Sequence, residues 1–409
     1  MLGLSLIRWS RRLRRDRGAT ASIVVVLLGG GVLFGATALS VDMGSLMWER
    51  RQLQNGADAV AQALAQVCAS GAAGCSSSGA AAQAAINNAN ASDGRNGLDT
   101  AMYPNGVCGR NVPGLPNCNP STGALWDCPP LKTGFDSLTP FVEAHTITLT
   151  GTGSSRVAPF FSGAAGNPGN TLRACARSAW GQPGAYNASV PLTFSYCEWD
   201  DFTRGGSNYQ NEPMGAWPGY GGSGQPHWPA TGQENTLYLQ DHGTTSPCRF
   251  FGLHDVPGGF GWLNSGSGCM TIIATGNWAK VDTGISAPSG CSSLIASLRG
   301  RVIDLPIFDC MWNSGGMPTF TPTLNQVGCT SGTGSNTWYH IKGWARFYIS
   351  GYKIGGSDQM PSLLNGRVPC SGGDRCISGW FVTGQINAST LAPPDPYSNF
   401  GTYAVLPAG

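Results

Sequence analysis

Hydrophobic and polar positions divide the chain into three regimes. From Ala19 to Val41 the sequence carries no charged side chain and is apolar on every side. At about 1.5 Å per helical residue this run crosses the roughly 30 Å hydrocarbon core of a bilayer, which predicts a transmembrane helix over 19–41. Beyond it Leu46, Leu53, Ala57, Val60, Leu64 and Val67 recur at spacings of three, four and seven, with Glu49, Arg50, Arg51, Gln52 and Gln54 between them. That is one apolar stripe of a helix continuing the span. Asn55-Gly56 would signal a turn elsewhere, but the stripe holds phase across it. Unbroken to Val67, such a helix projects a stalk of about 39 Å.

The third regime alternates. After a loop holding Cys68 and Cys75, a natural local staple, an alanine-rich run from Gly79 to Asn90 reads as a short second helix packing on the first. The helical stalk with this second helix takes residues 42–92, and residues 93–181 hold an irregular, cysteine-containing segment and the first strands. Strands are expected over Glu143–Thr150, Arg156–Phe161, Leu172–Trp180, Val190–Tyr196, Thr236–Leu239, Met270–Thr275, Val302–Phe308, Tyr339–Ile354 and Trp380–Ile386. Each is rich in β-branched or aromatic residues and bounded by Gly, Pro or Asn. Residues 182–409 thus read as a mainly β domain. Its longest run places His340, Lys342, Trp344, Arg346, Tyr348 and Tyr352 on one face and Ile341, Ala345, Phe347 and Ile349 on the other, as in a central antiparallel strand with one solvated side.

Charge gives the run at 19–41 a direction. Arg8, Arg11, Arg12, Arg14, Arg15 and Arg17 precede it against the single acid Asp16, so residues 1–18 are a basic cytoplasmic segment and the chain after Asp42 is extracytoplasmic. A cleaved signal peptide is the rival. Its apolar region is shorter, about 7 to 15 residues, and the run here continues past Ala36-Thr37-Ala38, the one cleavage-like site. All fourteen cysteines (Cys68, Cys75, Cys108, Cys118, Cys128, Cys175, Cys197, Cys248, Cys269, Cys291, Cys310, Cys329, Cys370 and Cys376) lie on the side assigned to the exterior. Disulfides persist in oxidising compartments, so charge and thiol placement agree. No Cys-x2-Cys occurs and the five histidines are scattered, which argues against a structural zinc, and no metal or cofactor site is assigned.

With 60 Gly, 27 Pro and 13 Trp, the chain is too rich in Gly and Pro for a helical bundle and too aromatic for a disordered tail. Setting aside the leading arginines and Asp16 leaves it with 18 bases against 21 acids, and no nucleic-acid surface. The fold class is a membrane-anchored α+β chain: one transmembrane helix, a helical stalk, and a mainly antiparallel β, disulfide-rich extracytoplasmic domain.

Three segments in order carry a resemblance: Arg17-Gly18-Ala19-Thr20; Ala38-Leu39-Ser40-Val41-Asp42-Met43-Gly44; and Arg50-Arg51-Gln52-Leu53-Gln54-Asn55-Gly56-Ala57-Asp58-Ala59. Together they resemble the N-terminal domain of TadE/TadG-like Flp pilus-assembly proteins, over about residues 17 to 67. A weaker echo runs through Thr146 to Trp180, including Pro159-Phe160-Phe161. Gly56 stands where the family usually has Ala. The fifth residue after Gly18 is Ile23 where processed pseudopilins carry Glu, so the chain looks closer to the unprocessed TadG type; no Asp-x-Ser-x-Ser supports the von Willebrand-like domain some TadG proteins bear. The resemblance implies a single-pass protein of a bacterial cell membrane whose partners are pilins or other pilus-assembly proteins. It marks Asp42, Gly44, Arg51, Leu53, Gln54, Asn55, Ala57 and Asp58 as helix-contact residues, with Asp42, Asn55 and Asp58 expected on one face. Gly31 and Gly35 form a small-x3-small pattern that admits close helix association, and hence an oligomer, in lipid.

No Gly-x-Ser-x-Gly, His-Glu-x-x-His, phosphate loop or dinucleotide signature occurs, which leaves catalysis without a motif. In Cys197-Glu198-Trp199-Asp200-Asp201, three carboxylates stand beside a tryptophan; a solvated strand end, a calcium site and an acid pair stay open. Between Gly205 and Gly232, Tyr209, Trp217, Tyr220, His227 and Trp228 suit structural packing, a partner or a sugar ring. The expected function is a non-enzymatic component of an Flp/Tad pilus assembly or related secretion apparatus. The alternative is a membrane-tethered enzyme or glycan-binding surface protein.

Overall fold

The computed structural model describes the chain except residues 1–2, 73, 80–95, 121–122, 125–126, 136, 150–154, 158, 162, 164–165, 189, 214–227, 240–259, 265–268, 270, 283–286, 289–290, 314, 323–328, 330–336 and 394–398, and gives the backbone alone at 3–20, 96, 231 and 260. The expected second helix, apart from Gly79, lies outside the described residues.

Helix α1 runs Gly3–Ala69 without interruption at Asn55-Gly56. It ends where Gly71 takes a left-handed backbone (φ 68°) and the Cys68–Cys75 disulfide turns the chain back. Among the described residues sixteen strands follow, with two short α-helices: β1 Asn96–Leu98, β2 Val107–Arg110, β3 Phe141–Thr148, β4 Arg173–Gly181, β5 Ala185–Ala188, β6 Leu192–Ser195, α2 Tyr196–Thr203, β7 Asn235–Tyr238, β8 Phe260–Trp262, β9 Thr271–Ala274, β10 Trp278–Lys280, α3 Cys291–Leu298, β11 Val302–Trp312, β12 Trp338–Lys353, β13 Gln359–Met360, β14 Cys376–Val382, β15 Gly384–Gln385 and β16 Thr402–Pro407.

The strands form two main sheets and the small pair β5 and β9. The first sheet runs β1-β3-β4-β16-β15, with β2 also on β3, and is antiparallel except where β15 meets β16. Its Val142, Ala144 and Ala176 receive Ala57, Val60, Ala61, Leu64 and Ala65 of α1 in one apolar cluster. The second half of α1 is therefore no free stalk. Its stripe is complementary to a sheet face, and burying the stripe there removes it from water.

The second sheet runs β7-β14-β12-β11-β6-β8, with β10 and β13 also on β12. The central, antiparallel placing of β12 matches the expectation; its solvated face does not. His340, Trp344, Tyr348 and Tyr352 are buried like Ile341, Ala345, Phe347 and Ile349, because packed side chains cover both faces. A register shift between Ile349 and Gly351 also moves Tyr352 into the core of Phe347 and Ile349. Gly379 permits that shift, since a Cβ there would overlap the Tyr348 carbonyl. Phe194, Phe347 and Phe381 pack edge to face at the centre.

Three further expectations change. The irregular segment contains β1 and β2, strands of three and four residues that are too short to show periodicity. No strand covers the described part of 156–161; Val157 only bridges to Asn170. The run ending at Tyr196 breaks into α2, because Ser195 caps the helix by accepting from the Cys197 amide at 3.2 Å. Six disulfides are described: Cys68–Cys75, Cys108–Cys118, Cys128–Cys175, Cys269–Cys291, Cys310–Cys329 and Cys370–Cys376. Cys197 is disulfide-bonded too, and Cys248 lies outside the described residues.

Candidate functional site

Where α1 changes from apolar all round to striped, the motif residues separate by face. Leu53 and Ala57 are fully buried against the sheet, and the Thr146 hydroxyl donates to the Leu53 carbonyl at 2.9 Å. The Gln54 amide donates to the Cys175 carbonyl (3.0 Å) and to Asp58 Oδ1 (3.3 Å). Gly44, Arg51, Asn55 and Asp58 face outward. Asp42 does not join them. It is buried, and its Oδ1 accepts the backbone amides of Phe160 at 2.7 Å and Phe161 at 3.1 Å. Thirteen and sixteen residues amount to about 220° and 160° of helical rotation, so Asn55 and Asp58 lie across the helix from Asp42, and the shared face is corrected. Gly31 and Gly35 stand in the exposed run with open space beside them.

The sheet's other face holds a buried ionic group that the sequence reading passed over. Glu143 on β3 takes two hydrogen bonds from the Arg177 guanidinium of β4 and lies 3.3 Å from His145 Nε2. Burial alone would push the Glu143 carboxyl up; the bond to His145 and the charge of Arg177 outweigh it and hold it below its ordinary value. Arg177 also donates to the Pro129 carbonyl at 2.9 Å and, with Arg110, covers the Phe141 ring. An arginine inside the otherwise small run Ala174 to Ala179, opposite an acid in the neighbouring strand, was the available signal.

This group also brings metal-ligand atoms together: Cys128, Glu143, His145 and Cys175, and an overlapping set of Cys108, Cys118 and Glu143. Both cysteine pairs are disulfides and Glu143 is engaged by Arg177, so the donors are committed to one another. On the second sheet Asp304 accepts from Tyr186 at 2.9 Å and Arg346 at 3.2 Å. Burial raises its carboxyl despite both partners and pushes the Tyr186 phenol up to about 12.

Glu198, Asp200 and Asp201 sit on α2 and do not converge into a ligand set among the described residues. Ser195-x-x-Glu198 has capping-box spacing, a helix signal in what had read as a strand end. Of the loop aromatics, Trp228 packs edge-on against Tyr348 and Trp380, and Trp217, Tyr220 and His227 lie outside the described residues. Tyr209, with Tyr196, Trp199, Asn399 and Tyr403, lines a cavity of about 720 Å³ beside the end of α1. A Cβ at Gly401 would meet the Tyr209 ring at 2.5 Å, so glycine makes room for it. None of the described lining residues bears a carboxylate, imidazole, amine or thiol, and burial raises the Tyr209 phenol, so those residues offer no acid-base pair.

Fold and junction together define a class: one long helix with an apolar leading half, docked by its second half on a mainly β, disulfide-bonded body. No protein-family model matches the chain, and no curated protein or solved structure matches it. The family reading rests on the N-terminal motif.

Proposed function

We propose that this chain is a non-enzymatic, single-pass component of a bacterial Flp/Tad-type pilus assembly or related secretion apparatus, its N-terminus cytoplasmic and its β body extracytoplasmic. The uncharged run at 19–41, the arginines before it and the disulfides after it support the placement. The observation that carries the reading is the split of the motif: Leu53 and Ala57 fix the helix to the body, which leaves Arg51, Asn55 and Asp58 presented at a set angle to a neighbouring subunit. Such a face suits lateral contact with a pilin or an assembly protein, and it needs no chemistry.

Added positive charge on that outward face is the test. Asn55→Arg combined with Asp58→Arg should leave the protein oxidised and abundant in its own host, because neither side chain is in the core, while surface pili fall to background. Normal piliation with the double variant overturns the reading. The aromatic cavity favours the second reading, a glycan-binding surface protein.

A further inference from the structure

The Pro159-Phe160-Phe161 segment lies on the excursion between β3 and β4, which is closed by paired hydrogen bonds between Val157 and Asn170 at 2.9 and 3.3 Å. Its two phenyl rings stand in the open. Phe160 is 82% exposed and Phe161 46%, with ring centroids 5.8 Å apart. Neighbouring exposed phenylalanines cost free energy in water, and a patch of them marks a surface that something covers. The excursion is also fastened: Asp42 is buried to accept both phenylalanine amides through one charged oxygen, which makes these hydrogen bonds of the stronger kind.

The fastening point lies at the first residue after the uncharged run that ends at Val41. From Val157 to Leu172 the excursion itself has no charged side chain. On α1, Met43, Met47 and Trp48 are exposed at the same level and just beyond it, Trp48 about 10 Å past Val41. Aromatic and long apolar side chains gathered where a span ends match the boundary between acyl chains and headgroups, where apolar rings are accommodated next to polar backbone.

We propose that Phe160 and Phe161 are a second membrane anchor, inserted into the leaflet on the side of the β body and clamped to the span by Asp42. This rests on residues 19–41 being a transmembrane helix. A single helix sets the body's distance from the bilayer but leaves it free to swivel about the helix axis. An apolar contact to one side of the axis removes that freedom, and so fixes the direction in which Arg51, Asn55 and Asp58 face.

Full-length protein carrying Phe160→p-benzoylphenylalanine, reconstituted in nanodiscs of phosphatidylethanolamine and phosphatidylglycerol and irradiated, should yield peptides with lipid adducts. The same probe at Leu33 reports on the span. Adducts at Leu33 without adducts at Phe160 overturn the anchor and leave the span standing; adducts at neither overturn the span and the anchor with it. A Phe160 adduct to protein in place of lipid overturns the proposal in favour of a protein partner. Asp42→Ala should lower the Phe160 lipid adduct at least about threefold, as the loss of two charge-assisted hydrogen bonds requires, with the Leu33 yield unchanged. An unchanged Phe160 yield overturns the clamp. Phe160→Ser with Phe161→Ser should leave the thermal midpoint of the body where it was, and a lowered midpoint would assign the rings to the fold.

Discussion

The two halves of α1 share one unbroken helix and differ in everything around it. In the leading half Leu27 and Phe34 are 68% and 78% exposed; in the second, Leu53, Ala57 and Leu64 are at 1% or less. Both are rich in Leu, Val and Ala, but charge and arrangement separate them. Residues 19–41 are apolar in every direction and would need an apolar surround on all sides, whereas 53–65 repeat every three or four residues and need only one face. Helical hydrogen bonds run through both, so the backbone is indifferent to the change and the side chains choose the partner: a sheet in one case, no part of the described chain in the other. The change begins at Asp42, and from there the buried side of the helix carries two acids, Asp42 and Glu49, before its apolar stripe.

The comparison breaks most severely if the sheet under the second half fails. Glu143→Gln leaves the Arg177 guanidinium buried without its countercharge, and removing one partner of a buried pair costs about 3–5 kcal/mol. Denaturant unfolding of the full chain in detergent micelles should show that loss at neutral pH. The folded Glu143 carboxyl lies below its ordinary value of 4.5, so its stabilisation is complete above that value and disappears as pH falls through the lowered one. The gap between wild type and variant should therefore close in acid. A gap independent of pH would show that the carboxylate charge is not what holds Arg177.

A sharper contrast sets equal substitutions in the two halves side by side. Leu64→Ala removes a fully buried side chain from the helix–sheet cluster and should cost about 2–5 kcal/mol in the same unfolding measurement. Leu33→Ala removes as many atoms from a side chain that touches no part of the body and should leave that transition unmoved. Equal effects at the two sites would mean that the leading half also packs against the body.

The helix was legible in the sequence because each half obeys a single rule over twenty or more residues, and the central place of β12 followed from sixteen residues of strand composition. What covers a surface is not written in the element that presents it. The polar side chains at His340 and Lys342 suggest solvent on one face of β12, yet other parts of the chain bury His340 and half-bury Lys342. β1, β2 and β8, of three or four residues each, lie below the length at which alternation can be seen. β16 is different: Tyr403, Val405 and Leu406 carried a strand signal that was passed over. At the junction, Asp42 was legible as special from its position alone, but its partners lie 118 and 119 residues away, and no local pattern specifies them.

The smallest expected effect concerns a residue that weakens the second half where it meets the sheet. Gly56 lies between the buried Leu53 and Ala57 and has an ordinary helical backbone. Glycine there costs roughly 0.5–1 kcal/mol relative to alanine, because the unfolded chain loses more freedom on entering the helix. The space for a methyl exists: a Cβ at Gly56 would find its nearest neighbour, Thr146 Cγ2, at 4.0 Å, an ordinary contact. Close approach of helix to sheet therefore does not explain the glycine, and Gly56→Ala should raise stability by about 0.5–1 kcal/mol in the same unfolding measurement. A loss of stability would show that the helix lies nearer Thr146 in solution. A gain in stability accompanied by fewer surface pili would point elsewhere, to a second half whose local softness serves assembly, and would separate that softness from the docking supplied by Leu53 and Ala57.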